Sequence, residues 1–345
     1  MSTSTSSSLS LPVLDLSRLA CGDEEAAAFR DDLRRATHEV GFFYLTGHGV
    51  PQELIDRMIS VGRKLFELPE ADKLALNMVD SPHFRGYTRI GGELTQGAVD
   101  WREQIDIATE REPVTDPDAE DFWVLQGPNQ WPAALPELRE LATEWIERLN
   151  DVSLTLLHAW AEALGAPADV FDPAFAERPA PHIKIARYPG KEDAGQGVGA
   201  HKDLGVLTLL YVEEGKGGLQ VERDGQWIDA PPVSGAFVVN IGELLEIATN
   251  GYLKATMHRV VSPAPGQDRI SVPYFYGPAL DATIPTIDLP PELAAEARGV
   301  TRDPSNPLHP VFGKNWLKSR LRAHQDVGWA HHPELMEAQG FTRDA

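Results

Sequence analysis

Gly199-Ala200-His201-Lys202-Asp203, read together with His258 and with Arg269-Ile270-Ser271, decides how this chain folds. On an extended strand, residues i and i+2 point to the same face. His201 and Asp203 are therefore expected to reach one metal ion together, and His258, on another strand, to add a third ligand. Two imidazoles and one carboxylate on one face of an octahedron leave three positions open, the donor set of a non-haem Fe(II) centre. Fifty-four residues lie between Asp203 and His258, enough to build several strands and return. A second His-x-Asp, His324-Gln325-Asp326, has no such return, since only His331 and His332 follow it. His324 reads as a surface residue on a C-terminal helix.

Arg269 follows His258 by eleven residues, on the next expected strand, and shares a face with Ser271. A guanidinium grips a carboxylate with two parallel bonds, and a hydroxyl beside it adds another. A dicarboxylate such as 2-oxoglutarate could chelate the metal at one end and meet Arg269 at the other.

The pattern around these residues is β-rich. From residue 181 the period is two, Ile183 and Ile185 alternating with Lys184 and Ala186. Residues 205–212, 236–241, 255–261 and 269–276 read as strands. Residues 219–222 and 226–229 flank the hairpin turn Asp224-Gly225. Short strands separated by turns suggest an antiparallel jelly roll. The first half reads differently. Phe29, Leu33, Ala36 and Val40 share one helix face, with Gly41 at its end. Leu54, Met58, Val61 and Leu65 mark a second helix, and residues 137–164 a long third one. Residues 80–121 read as irregular loops, and 314–322 as a basic helix. The expected fold is mixed α and β: helices first, a sandwich or barrel of jelly-roll type in the second half, and a helical tail. The expected divisions are a flexible tail (1–10), an N-terminal region of helices and loops (11–135), a long helix and connection (136–180), the core (181–285) and a C-terminal extension (286–345).

Composition limits the function. Of 345 residues, 42% are hydrophobic and 24% charged, as in a soluble globular protein. Asp and Glu number 52 against 31 Lys and Arg, a net charge of −21 that repels nucleic acid and anionic lipid. Cys21 is the sole cysteine, so neither a disulfide framework nor a Cys-rich metal site is available. No start resembles a signal peptide, and no apolar run reaches membrane-spanning length. A cytoplasmic protein with a small-molecule partner is expected, its oligomeric state open.

The sequence resembles the isopenicillin N synthase-like Fe(II)/2-oxoglutarate-dependent dioxygenases over residues 11–330. The likeness lies in Leu11-Pro12-Val13-Leu14-Asp15-Leu16, the run from Gly41 through Val50, Arg187-Tyr188-Pro189, Gly199 through Asp203, Asn240-Ile241-Gly242-Glu243, Thr256-Met257-His258-Arg259-Val260 and Arg269 through Phe275. The resemblance implies a double-stranded β-helix (jelly-roll) core flanked by helices, with the loops of the N-terminal region covering the substrate. It also implies that His201, Asp203 and His258 bind Fe(2+), and that Arg269 and Ser271 bind the far carboxylate of 2-oxoglutarate. Tyr188 falls where relatives place a tyrosine on the co-substrate. The implied reaction consumes O2 and 2-oxoglutarate, gives succinate and CO2, and oxidises a small organic substrate, most simply by hydroxylation. Two alternatives stay open: a 2-oxoglutarate-independent Fe(II) oxidase of the same family, and a non-catalytic jelly-roll protein that binds a small acid.

Other residues are weaker candidates. Lys184 shares Tyr188's face and either enters the substrate pocket or lies on a solvated face. Phe275 shares Arg269's face and either walls that pocket or is ordinary core. His48 reads as a satisfied core histidine. Arg85 and the run from Asp100 through Glu103 are expected to serve structural hydrogen bonding.

Overall fold

A computed structural model describes residues 10–192, 195–300 and 307–343. The expected tail thus lies outside the described residues except at Ser10. The chain opens with β1 (Val13–Asp15), α1 (Asp23–Glu39), β2 (Phe42–Thr46), α2 (Gln52–Glu67) and the short α3 (Glu70–Leu74). Next come β3 (Gly86–Thr88), β4 (Leu94–Thr95), β5 (Ala98–Val99), β6 (Glu103–Ala108) and the long α4 (Glu137–Ala163). The second half holds β7 (His182–Pro189), β8 (Gln196–His201), β9 (Leu207–Val212), β10 (Leu219–Arg223), β11 (Gln226–Asp229), β12 (Phe237–Ile241), α5 (Glu243–Ala248), β13 (His258–Val261) and β14 (Asp268–Tyr276). Helices α6 (Pro291–Ala294), α7 (Phe312–Ala323), α8 (Gln325–His331) and α9 (Pro333–Ala338) follow. Among the described residues no helix is long and apolar enough to cross a membrane.

Two sheets face one another. The large one runs β1-β2-β12-β9-β14-β7-β6-β3, and the small one β11-β10-β13-β8. This is a double-stranded β-helix whose large sheet is extended at both edges by N-terminal strands, β1 and β2 at one and β6 and β3 at the other. Side chains alternate between the faces of the large sheet. Ile183, Ile185, Ile270, Val272 and Tyr274 point outward into an apolar core shared with Phe29, Leu33, Met58, Leu65, Trp145 and Leu149. Those partners come from α1, α2 and α4, whose apolar stripes the three- and four-residue spacing creates. Ala186, Tyr188, Val238, Val198 and Val221 point inward, between the sheets. Gly41 lets α1 end against the barrel: its φ is +77°, and a Cβ there would come within 2.0 Å of the Lys254 carbonyl. At the β10–β11 hairpin, Asp224 and Gly225 both take positive φ, as a type I′ turn requires.

One expectation is corrected here. Residues 80–121 are not loops alone, because β3 and β6 extend the large sheet. All six residues of β6 are buried, and it pairs along β7 from Glu103 opposite Arg187 to Ala108 opposite His182. Its inward positions, Gln104 and Asp106, are polar, so the run lacks the apolar signature of a buried strand.

Candidate metal and co-substrate site

The large sheet lays out the inner face in rows. In the row nearest one end, Asn240 of β12 lies opposite Thr208 of β9, Thr208 opposite Phe275 of β14, and Phe275 opposite His182 of β7. Two residues further along β7, Lys184 faces Asp106 of β6. In the next row, Ala186 faces both Ser271 and Gln104. In the last, Tyr188 faces Arg269.

The small sheet brings His201 and His258 directly opposite each other on β8 and β13. Their ring centroids are 4.3 Å apart. Asp203 lies just past the end of β8, so strand periodicity does not aim it, contrary to the reasoning from sequence. Its Oδ2 instead accepts bonds from Thr208 Oγ1 at 2.5 Å and Asn240 Nδ2 at 2.8 Å. Those bonds turn Oδ1 toward the histidines, 3.5 Å from His201 Nε2 and 3.6 Å from His258 Nε2. One ligand atom from each of the three residues lies within 4.8 Å of the others. Lys202, between the ligands in sequence, turns away to Glu246 at 3.0 Å.

The tautomers follow from the neighbours. His201 Nδ1 lies 2.7 Å from the Gly199 carbonyl, and His258 Nδ1 lies 3.1 Å from the Thr256 carbonyl. A carbonyl only accepts, so each Nδ1 carries a hydrogen, and in the neutral imidazole Nε2 offers its lone pair to a metal. Burial would lower the His201 imidazole, but the Asp203 carboxylate beside its Nε2 raises it, so a metal binds there in competition with a proton. Burial lowers the His258 imidazole to about 4, and His201 beside it adds to the effect. Burial would raise the Asp203 carboxyl, but His258, His201 and Asn240 hold it well below the usual range. A neutral histidine, an ionised aspartate and inward lone pairs are what Fe(II) needs from its ligands.

Arg269 is 1% exposed, yet its Nε and one terminal nitrogen have no hydrogen-bond partner. Its guanidinium carbon lies 4.8 Å from the centre of the Tyr188 ring. Ser271 is buried on the same face. A cavity of about 290 Å³, bounded by Gly218, Gln220, Ser262 and Gln267, adjoins Arg269. An unpaired buried guanidinium is costly unless a ligand completes it. A carboxylate is the complement its planar fork fits, and the far end of 2-oxoglutarate supplies one.

Between the two ends runs a buried chain of charges. Arg102 lies 3.4 Å from the Tyr188 hydroxyl and 2.6 Å from Glu93. Glu93 accepts from Lys184 at 2.6 Å, and Lys184 lies 3.4 Å from Asp106. Asp106 also meets His182 at 2.8 Å and Arg320 of α7 at 2.9 Å. These cations hold both carboxyls well below the usual range against the opposing effect of burial. Lys184 therefore faces inward and is not solvated. Phe275 is half-buried, stacked on His182 with centroids 5.5 Å apart. Arg85 and Arg102 do bond structurally, Arg85 to the carbonyls of His83 and Leu125. His48 is half-buried, its ring bonded to the Gly235 carbonyl and the Val50 amide.

His324 needs correction. It is 1% exposed, not a surface residue, and its Nε2 lies 3.4 Å from Glu93. The break between α7 and α8 turns it into the protein. Glu93 and Asp106 give no signal in sequence, since an isolated acid in an irregular or alternating run looks solvated. Asn240 stands within a recognised run without a role there, and Thr208 is masked by its apolar neighbours.

Comparison with known proteins follows the same division of the chain. Residues 11–134 match the family described as non-haem dioxygenase in morphine synthesis N-terminal, and residues 180–278 match the 2OG-Fe(II) oxygenase superfamily. The 2-oxoglutarate-dependent dioxygenase frbJ of Dothideomycetidae sp. (strain 11243) is 39% identical over 95% of this chain and 94% of its own length. Homoarginine-6-hydroxylase 2-ODD-C23.1 of Arabidopsis thaliana is 37% identical over 81% of this chain and 88% of its own. A full-length Neurospora crassa protein, solved in complex with alpha-KG, superposes with a TM-score of 0.72 at 25% identity, covering 89% of this chain and 95% of that one.

Proposed function

The chain belongs to the 2OG-Fe(II) oxygenase superfamily, and from that premise we propose its substrate class and the work of each site residue. It is an oxidoreductase that uses Fe(II), 2-oxoglutarate and O2 on a small molecule. Of the two alternatives raised by the sequence, the non-catalytic binding protein yields to that membership, and the 2-oxoglutarate-dependent relative and the alpha-KG complex favour the co-substrate over the 2-oxoglutarate-independent oxidase. Bound Fe(II) with 2-oxoglutarate supplies the oxidising chemistry: the keto acid leaves as succinate and CO2, and the substrate gains an oxygen atom.

His201, Asp203 and His258 hold the iron in this reading, and Thr208 and Asn240 keep Asp203 aimed. Arg269 and Ser271 receive the far carboxylate of 2-oxoglutarate, with Tyr188 packed against the guanidinium. Arg269 acts by position and charge, taking no proton. The sheets exclude water around it, which strengthens the charge pair. The buried guanidinium of Arg269, unpartnered at Nε and one terminal nitrogen and three two-residue steps along β14 from Phe275 in the row next to Asp203, carries this assignment.

The substrate is a small molecule bearing a positively charged nitrogen group, such as a basic amino acid. The Arabidopsis relative's name supports this class, as do the buried carboxylates Glu93 and Asp106 beside the site. The N-terminal region (11–135) covers the substrate, the core (181–285) holds iron and co-substrate, and Phe275 walls the pocket. Net charge supports an enzyme that avoids nucleic acid, and the single cysteine suits the cytoplasm. The test is succinate formation with Fe(II), 2-oxoglutarate and a panel of basic, neutral and acidic amino acids. Basic members should raise succinate well above the substrate-free rate. Stimulation by acidic or neutral members alone would overturn the substrate class.

A further inference from the structure

Lys184 stands where a substrate's cation would otherwise be needed. Glu93 is 7% exposed and Asp106 0%. Two buried carboxylates without counter-charges are expensive. A pocket that receives a cationic group therefore needs some other cation while empty. Among the described residues three lysine or arginine side chains serve these acids, and they are tied down differently. Arg102 is also held by Asp100 at 3.3 Å and Tyr188. Arg320 also donates to the Phe84 carbonyl at 3.1 Å. Lys184 meets Glu93 and Asp106, and it alone of the three reaches both. An ammonium on a four-carbon stem re-aims readily, whereas a guanidinium fork is fixed by its several bonds.

The location suits a substrate. Lys184 is one two-residue step along β7 from His182, whose row contains Thr208, which bonds Asp203. Glu93 lies two residues before Thr95, whose side chain packs against Gly199, itself two residues before His201. The Glu93–Lys184 pair is thus one strand step from the row that contains Thr208, and Glu93 is two residues from a side chain packed on β8. A cation arriving at Glu93 Oε1 displaces an ammonium that already has Asp106 within 3.4 Å. His324 Nε2, buried and without a hydrogen bond, lies 3.4 Å from that same oxygen and adds a polar wall from the C-terminal extension.

We infer that Glu93 accepts the substrate's cationic group and that Lys184 is the internal stand-in for that group, displaced on binding. This rests on the proposed basic substrate. An internal competitor lowers apparent affinity by the fraction of time it occupies the acceptor. Removing Lys184 should therefore tighten binding of a cation, although it removes a buried positive charge and lowers stability. A purely structural lysine would weaken both.

The experiment is anaerobic calorimetry on the full chain loaded with Fe(II) and 2-oxoglutarate. The probes are L-homoarginine and its neutral isostere L-homocitrulline. Wild type should prefer the cation by at least about tenfold, the factor for roughly 1.4 kcal/mol. Lys184→Met should bind homoarginine roughly three- to tenfold more tightly than wild type, as expected when a competitor is removed, with a lower Tm. Glu93→Gln should abolish the preference. A folded Lys184→Met that binds homoarginine no more tightly overturns the stand-in role, and a Glu93→Gln that keeps the preference overturns the acceptor role. If Glu93→Gln does not fold, Lys184→Met decides alone. L-arginine and L-lysine are titrated into wild type as further cations, and should it bind none of the three, the basic-substrate reading fails and takes the inference with it. Binding by wild type with no gain in Lys184→Met sinks the inference alone.

Discussion

The last row of the inner face and the row beside the metal ligands treat buried charge in opposite ways. Around Arg269 the guanidinium is left bare on Nε and one terminal nitrogen. Around Glu93 and Asp106 each carboxylate is already paired with cations of the same chain. A buried charge with unpartnered donors is completed only when a ligand of opposite charge binds. A self-neutralised cluster is stable while empty, and a ligand of like charge to its cations must displace one of them to bind. On the proposed reading, the first region serves the co-substrate and the second the substrate.

The largest expected break lies at the metal. Asp203→Ala removes one ligand of three and should abolish oxygen consumption, with Fe(II) affinity reduced beyond the roughly 10- to 100-fold typical of losing a supporting residue. Metal titration of the folded variant checks this; unchanged affinity would remove Asp203 from the site. Asp326→Ala is the control. Its carboxylate bonds the Val327 amide, and the substitution should leave iron affinity unchanged.

At the other end, Arg269→Ala should raise the 2-oxoglutarate requirement for succinate formation by a hundredfold to several-thousandfold, from the about 3–5 kcal/mol cost of breaking a buried charge pair. Arg269→Lys keeps the charge and loses the fork, so it should fall between wild type and Ala. Iron affinity should not change in either. A wild-type-like constant in Arg269→Ala would move the co-substrate elsewhere.

The support of Asp203 gives a smaller effect. Asn240→Ala removes one of its two bonds and should weaken iron roughly 10- to 100-fold, the usual range for a supporting residue. An effect on 2-oxoglutarate with none on iron would contradict that role.

The smallest effect concerns acid. Asp106 and Glu93 are held below their ordinary range, so they add stability above the unfolded carboxylate pKa of about 4. That stability is lost as pH falls through their folded values. Asp106→Asn should lower Tm at neutral pH, and the gap to wild type should narrow on acidification below about pH 4. Differential scanning across pH measures it; a gap that widens in acid would reverse the sign.

The two regions are not equally legible in the sequence. The end around Arg269 is readable, because Arg269, Ser271 and Tyr188 sit on strands whose alternation is plain. Asp203 is legible as a neighbour of His201 and His258, but strand alternation is not what aims it. Its direction comes from Thr208 and Asn240, contacts that no local period encodes. The paired end is mostly hidden. Glu93, Asp106, Arg320 and His324 are far apart in sequence, and each looks like a solvated charge until tertiary pairing buries it. For the same reason β6 reads as loop: a strand that turns Gln104 and Asp106 inward loses the apolar pattern by which strands are recognised.

The most direct test is an anaerobic titration of 2-oxoglutarate into Fe(II)-loaded protein, followed by the visible absorption of the iron–keto-acid complex. It compares wild type, Asp203→Ala and Arg269→Ala. Wild type should saturate, Asp203→Ala should develop no absorption, and Arg269→Ala should reach the same absorption only at about a hundredfold more 2-oxoglutarate or beyond. A wild type without the absorption, or an Arg269→Ala that titrates like wild type, would contradict the assignment of iron to His201, Asp203 and His258 and of the co-substrate's far carboxylate to Arg269.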